Sequence, residues 1–319
     1  MEEVETAVSR DLSGLTEAEW LHEFVEIAEE HGYFQPLGKR HFAALVENGS
    51  TLLVTFETLP AMRSDGAPIG WQMVRDHGWS HLCLACDGDT WFRDHHVYGY
   101  FDRLIDEGFL EDFDRVIFYG AGPCGYAAAA FSVAAPGATV VAVAPQATLD
   151  PDVALWDDRF AEMRRINFTN RYGYAPDMTD AADQAFVVYD PCLPLDAMHA
   201  ALFRRPQTTM LRMRRMGPAL EIDLRQMQIL PRLLELAGTR RLTPLAFARL
   251  ARKRRSYPPY LRRLMAAVEV KDRPILAYIL CRSVVARMKA PRFARRLEVL
   301  EEAAARRRAE LAAARDADS

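Results

Sequence analysis

The residues best suited to chemistry gather around VIFYGAGPCGYAAAAFS, residues 116–132. Gly120-Ala121-Gly122-Pro123-Cys124-Gly125 is a G-x-G-x-x-G loop between an apolar run and an Ala-rich run. Such a loop brings backbone N–H groups at a helix start close to a phosphate, the mark of a nucleotide- or flavin-dependent enzyme. Pro123 suits the first helical turn. Against a dinucleotide, the strand that follows, Thr139–Val143, runs into Ala144-Pro145 without the Asp or Glu that would bond a ribose hydroxyl. Cys124 suggests a second chemistry. At a helix start the dipole favours a thiolate, and His199 as its base would make a Cys124-based acyl hydrolase or transferase.

Other candidates are weaker. Cys83-Leu84-Ala85-Cys86 has C-x-x-C spacing, but on a strand residues three apart point to opposite faces, so buried structural thiols are expected. Asp94-His95-His96 lacks a third ligand at useful spacing and reads as a solvated loop. No metal and no cofactor are expected. Arg252-Lys253-Arg254-Arg255, followed by Tyr257 and Tyr260, combines charge with aromatics as a nucleic-acid surface does, although a solvated helix end is the preferred reading.

The elements that must position these residues follow from periodicity. Thr16-Glu17-Ala18-Glu19 is a capping box, and Trp20, Leu21, Phe24, Val25 and Ala28 continue at helical spacing to about Gly32. A short helix over 39–47 is expected next, then strands at Thr51–Glu57 and His81–Cys86. Asp114–Tyr119 reads as a strand, Tyr126–Ala134 as a helix and Thr139–Val143 as another strand, a unit that implies parallel pairing and a right-handed crossover. Ala185–Tyr189 and Thr208–Met213 complete the strands. Beyond about residue 230 only helices are visible, broken at Thr243-Pro244, Pro258-Pro259, Arg273-Pro274 and Pro291. Leu261, Leu264, Met265 and Val268 mark one apolar face, and Ile275, Tyr278 and Ile279 another. Glu298–Ala314 is charged enough to fray. The fold class is α/β, a mostly parallel sheet flanked by helices, with an all-helical basic C-terminal appendage. Residues 1–230 and 231–319 are the expected domains.

At the glycine loop the chain resembles bacterial α/β-hydrolase-like proteins, whose elbow reads Y-G-x-S-M-G-G-Y-A-A. The matching run is Tyr119-Gly120-Ala121-Gly122-Pro123-Cys124-Gly125-Tyr126-Ala127-Ala128. The likeness continues through Phe131, Pro136-Gly137-Ala138 and Ala144-Pro145-Gln146 to Tyr189-Asp190-Pro191. It implies nucleophile, acid and histidine in that chain order. Gly122 stands at the nucleophile position and Asp190 at the acid. All 8 histidines lie at or before residue 199, and the last strand is followed by Arg214-Arg215-Met216-Gly217-Pro218. No Ser-His-Asp triad is therefore expected. Cys124 matches an elbow glycine, which turns its side chain toward the sheet.

Net charge is −4, but residues 1–203 carry 12 Lys+Arg against 33 Asp+Glu, and residues 204–319 carry 28 against 11. The expectation is that these halves neutralise one another and that nucleic acid is not a partner. The N-terminus has no apolar h-region, and the longest apolar run is broken at Pro136-Gly137, so neither secretion nor a membrane span is expected. Five scattered cysteines describe no disulfide framework. The sequence thus reads as a cytoplasmic pseudoenzyme with a binding or scaffolding role. Its elbow loop (Gly120, Ala121, Gly122, Pro123, Gly125) would receive a small anionic ligand, and a protein partner is the other expectation.

Overall fold

The computed structural model describes residues 2–302 and 305. Eight strands form one sheet: β1 Gly32–Leu37, β2 His41–Val46, β3 Thr51–Thr58, β4 Ser80–Cys86, β5 Arg115–Ala121, β6 Thr139–Val143, β7 Gln184–Tyr189 and β8 Thr208–Arg212. Their order is β1-β2-β4-β3-β5-β6-β7-β8. β2 runs antiparallel to both neighbours, and every pair from β4 to β8 is parallel. β5 lies between β3 and β6 and is buried from Val116 to Gly120. Continuous burial of this kind belongs to a parallel strand covered on both faces.

The helix Pro123–Phe131 starts where β5 ends, and every residue from Cys124 to Phe131 is buried. Its run Ala127–Ala130 lets the backbone lie close to the sheet. Phe131 stacks on Phe101 (4.5 Å between ring centroids) and on Phe56 (5.6 Å), which joins the helix to β3 and to the helix His95–Asp106. Alternation along β2 and β4 sends Ala43, Leu45, Leu82 and Leu84 into this layer. Their neighbours Ala44, Val46, Cys83 and Ala85 enter the opposite layer, with Trp20, Phe24 and Trp71. Cys83 and Cys86 accordingly lie in different layers, buried and unbonded to each other.

Three local expectations are corrected. In place of the helix expected over 39–47 the chain forms strand β2, His41–Val46, because β1 and β4 hydrogen-bond to both of its edges and override the helical preference of Ala43-Ala44-Leu45. Asp94-His95-His96 is a helix start rather than a loop: the Asp94 carboxylate caps the helix by accepting from the His96 N–H. In the helix Pro274–Val285 the buried residues are Ala277, Cys281 and Val284, whereas Ile275 and Ile279 face outward. That helix is apolar on most of its surface, so spacing alone does not select a face.

The chain divides into two compact units between Arg249 and Leu250. The helix Leu230–Gly238 belongs to the first, where it packs on β5 and β6. Among the described residues the second unit is all helical, with Leu261, Cys281, Val284 and Phe293 at its centre and Met265 packed against them. From residue 303 onward, apart from residue 305, Glu298–Ala314 lies outside the described residues.

Candidate functional site

The elbow is built by the backbone. After β5 the chain reverses at Gly122, with φ 55° and ψ −125°, and enters the helix at Pro123. The Gly122 N–H donates to the Val143 carbonyl (2.8 Å), and its own carbonyl accepts from the Tyr126 N–H (2.9 Å). A Cβ on Gly120 would stand 2.1 Å from the Cys124 carbonyl oxygen, so the turn needs glycine there. A Cβ on Gly122 would meet nothing within 4 Å. The positive φ at the tip of a strand–turn–helix, with open space above it, is the geometry that presents a nucleophile in hydrolases. The fold is α/β-hydrolase-like.

No family model and no curated protein matches the chain. Among solved structures it is similar to the esterase domain of a Rhodothermus marinus protein, at 13% identity and TM-score 0.33 over 57% of this chain and 85% of that one. Est1E from Butyrivibrio proteoclasticus gives 12% and 0.40 over 63% and 97%. The capsule O-acetyltransferase of Neisseria meningitidis serogroup A gives 10% and 0.36 over 60% and 91%. Likeness at this level transfers no activity to this chain.

Among the described residues no hydrogen bond joins Cys124 to Asp190 or His199, and the last two are bonded to other groups. Cys124 is buried, and burial, reinforced by Cys86 and by the carboxyls of Glu221 and Glu57, pushes its thiol well above the usual range. That is opposite to the effect of the helix dipole. Asp190 is buried at the end of β7 and bonded entirely to backbone. One oxygen accepts from the N–H groups of Cys192 (2.8 Å) and Arg215 (3.0 Å), the other from Gly217 (2.9 Å). The carboxylate therefore holds the loop after β8, where a hydrolase presents its histidine. His199 lies in the helix Pro194–Leu202 and is also fully engaged. Its Nδ1 accepts from the Ala147 N–H (3.1 Å), so Nε2 carries the proton and donates to Asp157 (2.9 Å). Burial holds this imidazole neutral by lowering its pKa.

The loop itself offers few donors. The Gly122 N–H is spent on Val143, and Pro123 has none. Pro123 occupies the position whose N–H completes a hydrolase oxyanion hole. Two hollows of about 130 and 290 Å³ adjoin the elbow and share Ala121, Pro123 and Glu221.

The side chains on their walls come from distant elements. Glu57, at the end of β3, accepts from the Thr55 hydroxyl (2.6 Å) and the Ile69 N–H (3.1 Å), and burial raises its pKa to about 7. Thr55 in turn accepts from His81 Nε2 (2.8 Å), an imidazole that burial holds near pKa 3. Glu221, after β8, accepts from the Tyr119 hydroxyl (2.7 Å), and its pKa is also raised by burial. Arg225 pairs with Asp65, and Arg159 pairs with both Asp157 (2.7 Å) and Asp196 (2.6 Å).

Among the described residues, Glu57, His81 and Cys83 form the buried set that could chelate an ion, their donor atoms within 4.8 Å of one another. The Thr55 hydroxyl already links two of them. Sequence reasoning did not single out Glu57, Glu221, Gln146 or Arg159. Only Glu57 carried a local signal, as a lone charge at the end of the β-branched run from Thr51.

Proposed function

We propose that this chain is an α/β-hydrolase-like protein without Ser-His-Asp chemistry, and that it serves a binding or scaffolding role. The observation that carries the reading is the elbow: a hydrolase turn at φ 55°, with no side chain on Gly122 and no N–H on Pro123. The nucleophile and one oxyanion donor are missing together, whereas either loss alone would leave part of the machinery. The full engagement of Asp190 and His199 supports the same reading. No helix among the described residues is long and apolar enough to cross a membrane, and the proposal places the protein in the cytoplasm.

Steady-state hydrolysis of p-nitrophenyl esters from acetate to octanoate tests the proposal. The chain is expected to release p-nitrophenolate no faster than buffer. Turnover abolished by Cys124→Ser would establish a cysteine hydrolase instead. Turnover untouched by that substitution would place a working site elsewhere. A yellow preparation with flavin absorbance would revive the nucleotide reading of the loop.

A further inference from the structure

β3 and β4 bring four polar side chains together inside an apolar layer. The two strands pair in parallel, with Leu53 opposite His81 and Thr55 opposite Cys83. Residues two apart on a strand share a face, so Thr55 and Glu57 of one strand stand beside His81 and Cys83 of the other. Cys83 enters the layer formed by Trp20, Phe24, Trp71 and Met62, and all four polar residues are buried. Polar groups placed there are costly unless something holds them.

Donor atoms of Glu57, His81 and Cys83 lie within 4.8 Å of one another. Cys83 Sγ is 3.9 Å from Glu57 Oε1 and 3.9 Å from the Met62 thioether. Two ligands of a tetrahedral zinc ion stand about 3.5 Å apart, so a contraction of about 1 Å closes the set. Gly70 adds an independent observation. It opens the helix Gly70–His77, and its φ lies outside the left-handed region, so the backbone does not require glycine there. A Cβ on it would stand 2.2 Å from His81 Nε2 and 2.1 Å from Cδ2. The missing side chain makes room for the imidazole edge that carries Nε2, the nitrogen turned toward Thr55.

We propose that Glu57, His81 and Cys83 form a buried zinc site. The inference goes beyond the binding role proposed above, since the ion needs neither the elbow nor its loop. A thiolate with an imidazole selects zinc over the oxygen-seeking magnesium and calcium. The Glu57 carboxylate and the Cys83 thiolate balance a dication, so loading exchanges two protons for one zinc ion and leaves the interior neutral. His81 ligates as the neutral imidazole. The Thr55 hydroxyl, which donates to Glu57 Oε1 (2.6 Å), keeps that bond and orients the carboxylate, as hydrogen bonds around metal ligands do. Glu57 alone of the three borders the smaller hollow, so the site fills most readily while the chain folds and loses its ion slowly afterwards.

The test is metal analysis of the full chain produced in zinc-supplemented medium and dialysed against a weak chelator. About one zinc per chain is expected, falling at least about tenfold in Cys83→Ser and in His81→Gln. His96→Ala, which breaks the exposed Asp94-His95-His96 set, is expected to leave the zinc in place. Protein produced with cobalt instead of zinc gives a readout on the wild type itself, should a variant fail to fold. It is expected to show a thiolate-to-cobalt charge-transfer band in the near ultraviolet, retained in Cys192→Ser, which removes the exposed thiol. Less than about 0.1 zinc per chain would overturn the inference and leave the patch a hydrogen-bonded part of the core. So would zinc retained in both ligand variants, zinc lost in His96→Ala, or a thiolate band that is missing from the wild type or lost in Cys192→Ser.

Discussion

At Gly122 the turn combines a positive φ with open space above the backbone. A serine there would meet no neighbour, yet it would have to adopt φ 55° and ψ −125°. Backbone strain of that kind costs on the order of 1–3 kcal/mol. Gly122→Ser should therefore fold, with its melting temperature lowered by several degrees in a scan, and should gain no ester hydrolysis because Pro123 and the occupied Asp190 are unchanged. Asp190 supports a second prediction. Asp190→Ala leaves three backbone N–H groups without their acceptor and should cost at least about 3 kcal/mol in urea denaturation, whatever its effect on activity. The buried titratable groups set the pH response. Burial lowers His41 to about 4 and His81 to about 3, so as pH falls below 6.5 the unfolded chain gains protons that the folded one refuses, and stability drops. Glu57 works in the opposite direction. Its folded pKa of about 7 lies above the ordinary 4.5, so its contribution is present below pH 4.5 and lost as pH rises through 7. Relative to the wild type, Glu57→Gln should gain stability between pH 4.5 and about pH 8, as read by urea midpoints at both ends. A difference independent of pH would mean that Glu57 is not held protonated by burial.

Among the elements, the strand–elbow–helix unit was the most legible in the sequence. The apolar run into Gly120 and the alanines after Pro123 dictate a central strand and a buried helix, and both are present as expected. The tight fit of that helix is testable: Ala128 is fully buried, so Ala128→Leu should overpack the layer and destabilise by about 1–3 kcal/mol, measured by thermal denaturation. β2 was misread because its strand character comes from the partners on both edges, which no local pattern records. The outward turn of Ile275 and Ile279 was hidden by a helix apolar nearly all round. The walls of the cleft were not legible for a related reason. Glu57 ends β3, whereas Gln146 and Glu221 follow β6 and β8, and only the sheet order brings them to one edge. Gly122 and Asp190, by contrast, stood out because they fill positions in a recognisable frame.

Over the whole molecule, charge and fold constrain what the protein does. The acidic balance of residues 1–203 opposes the basic balance of residues 204–319, leaving −4 overall. Fields from exposed charges fade over about 8 Å at physiological salt, so a basic surface within a chain of negative net charge should hold DNA only weakly. Fluorescence anisotropy with duplex and single-stranded DNA at about 150 mM salt is expected to show no sub-micromolar binding; tight binding that weakens steeply with added salt would make the helical region a nucleic-acid module. The larger question is whether an α/β-hydrolase-like scaffold is retained here for binding alone. It is answered most directly by stopped-flow mixing of the wild-type chain with p-nitrophenyl acetate at comparable concentrations. An elbow without a nucleophile predicts no initial burst of p-nitrophenolate and a rate indistinguishable from buffer, whereas a burst stoichiometric with protein would show that a covalent nucleophile operates and would contradict the proposed function.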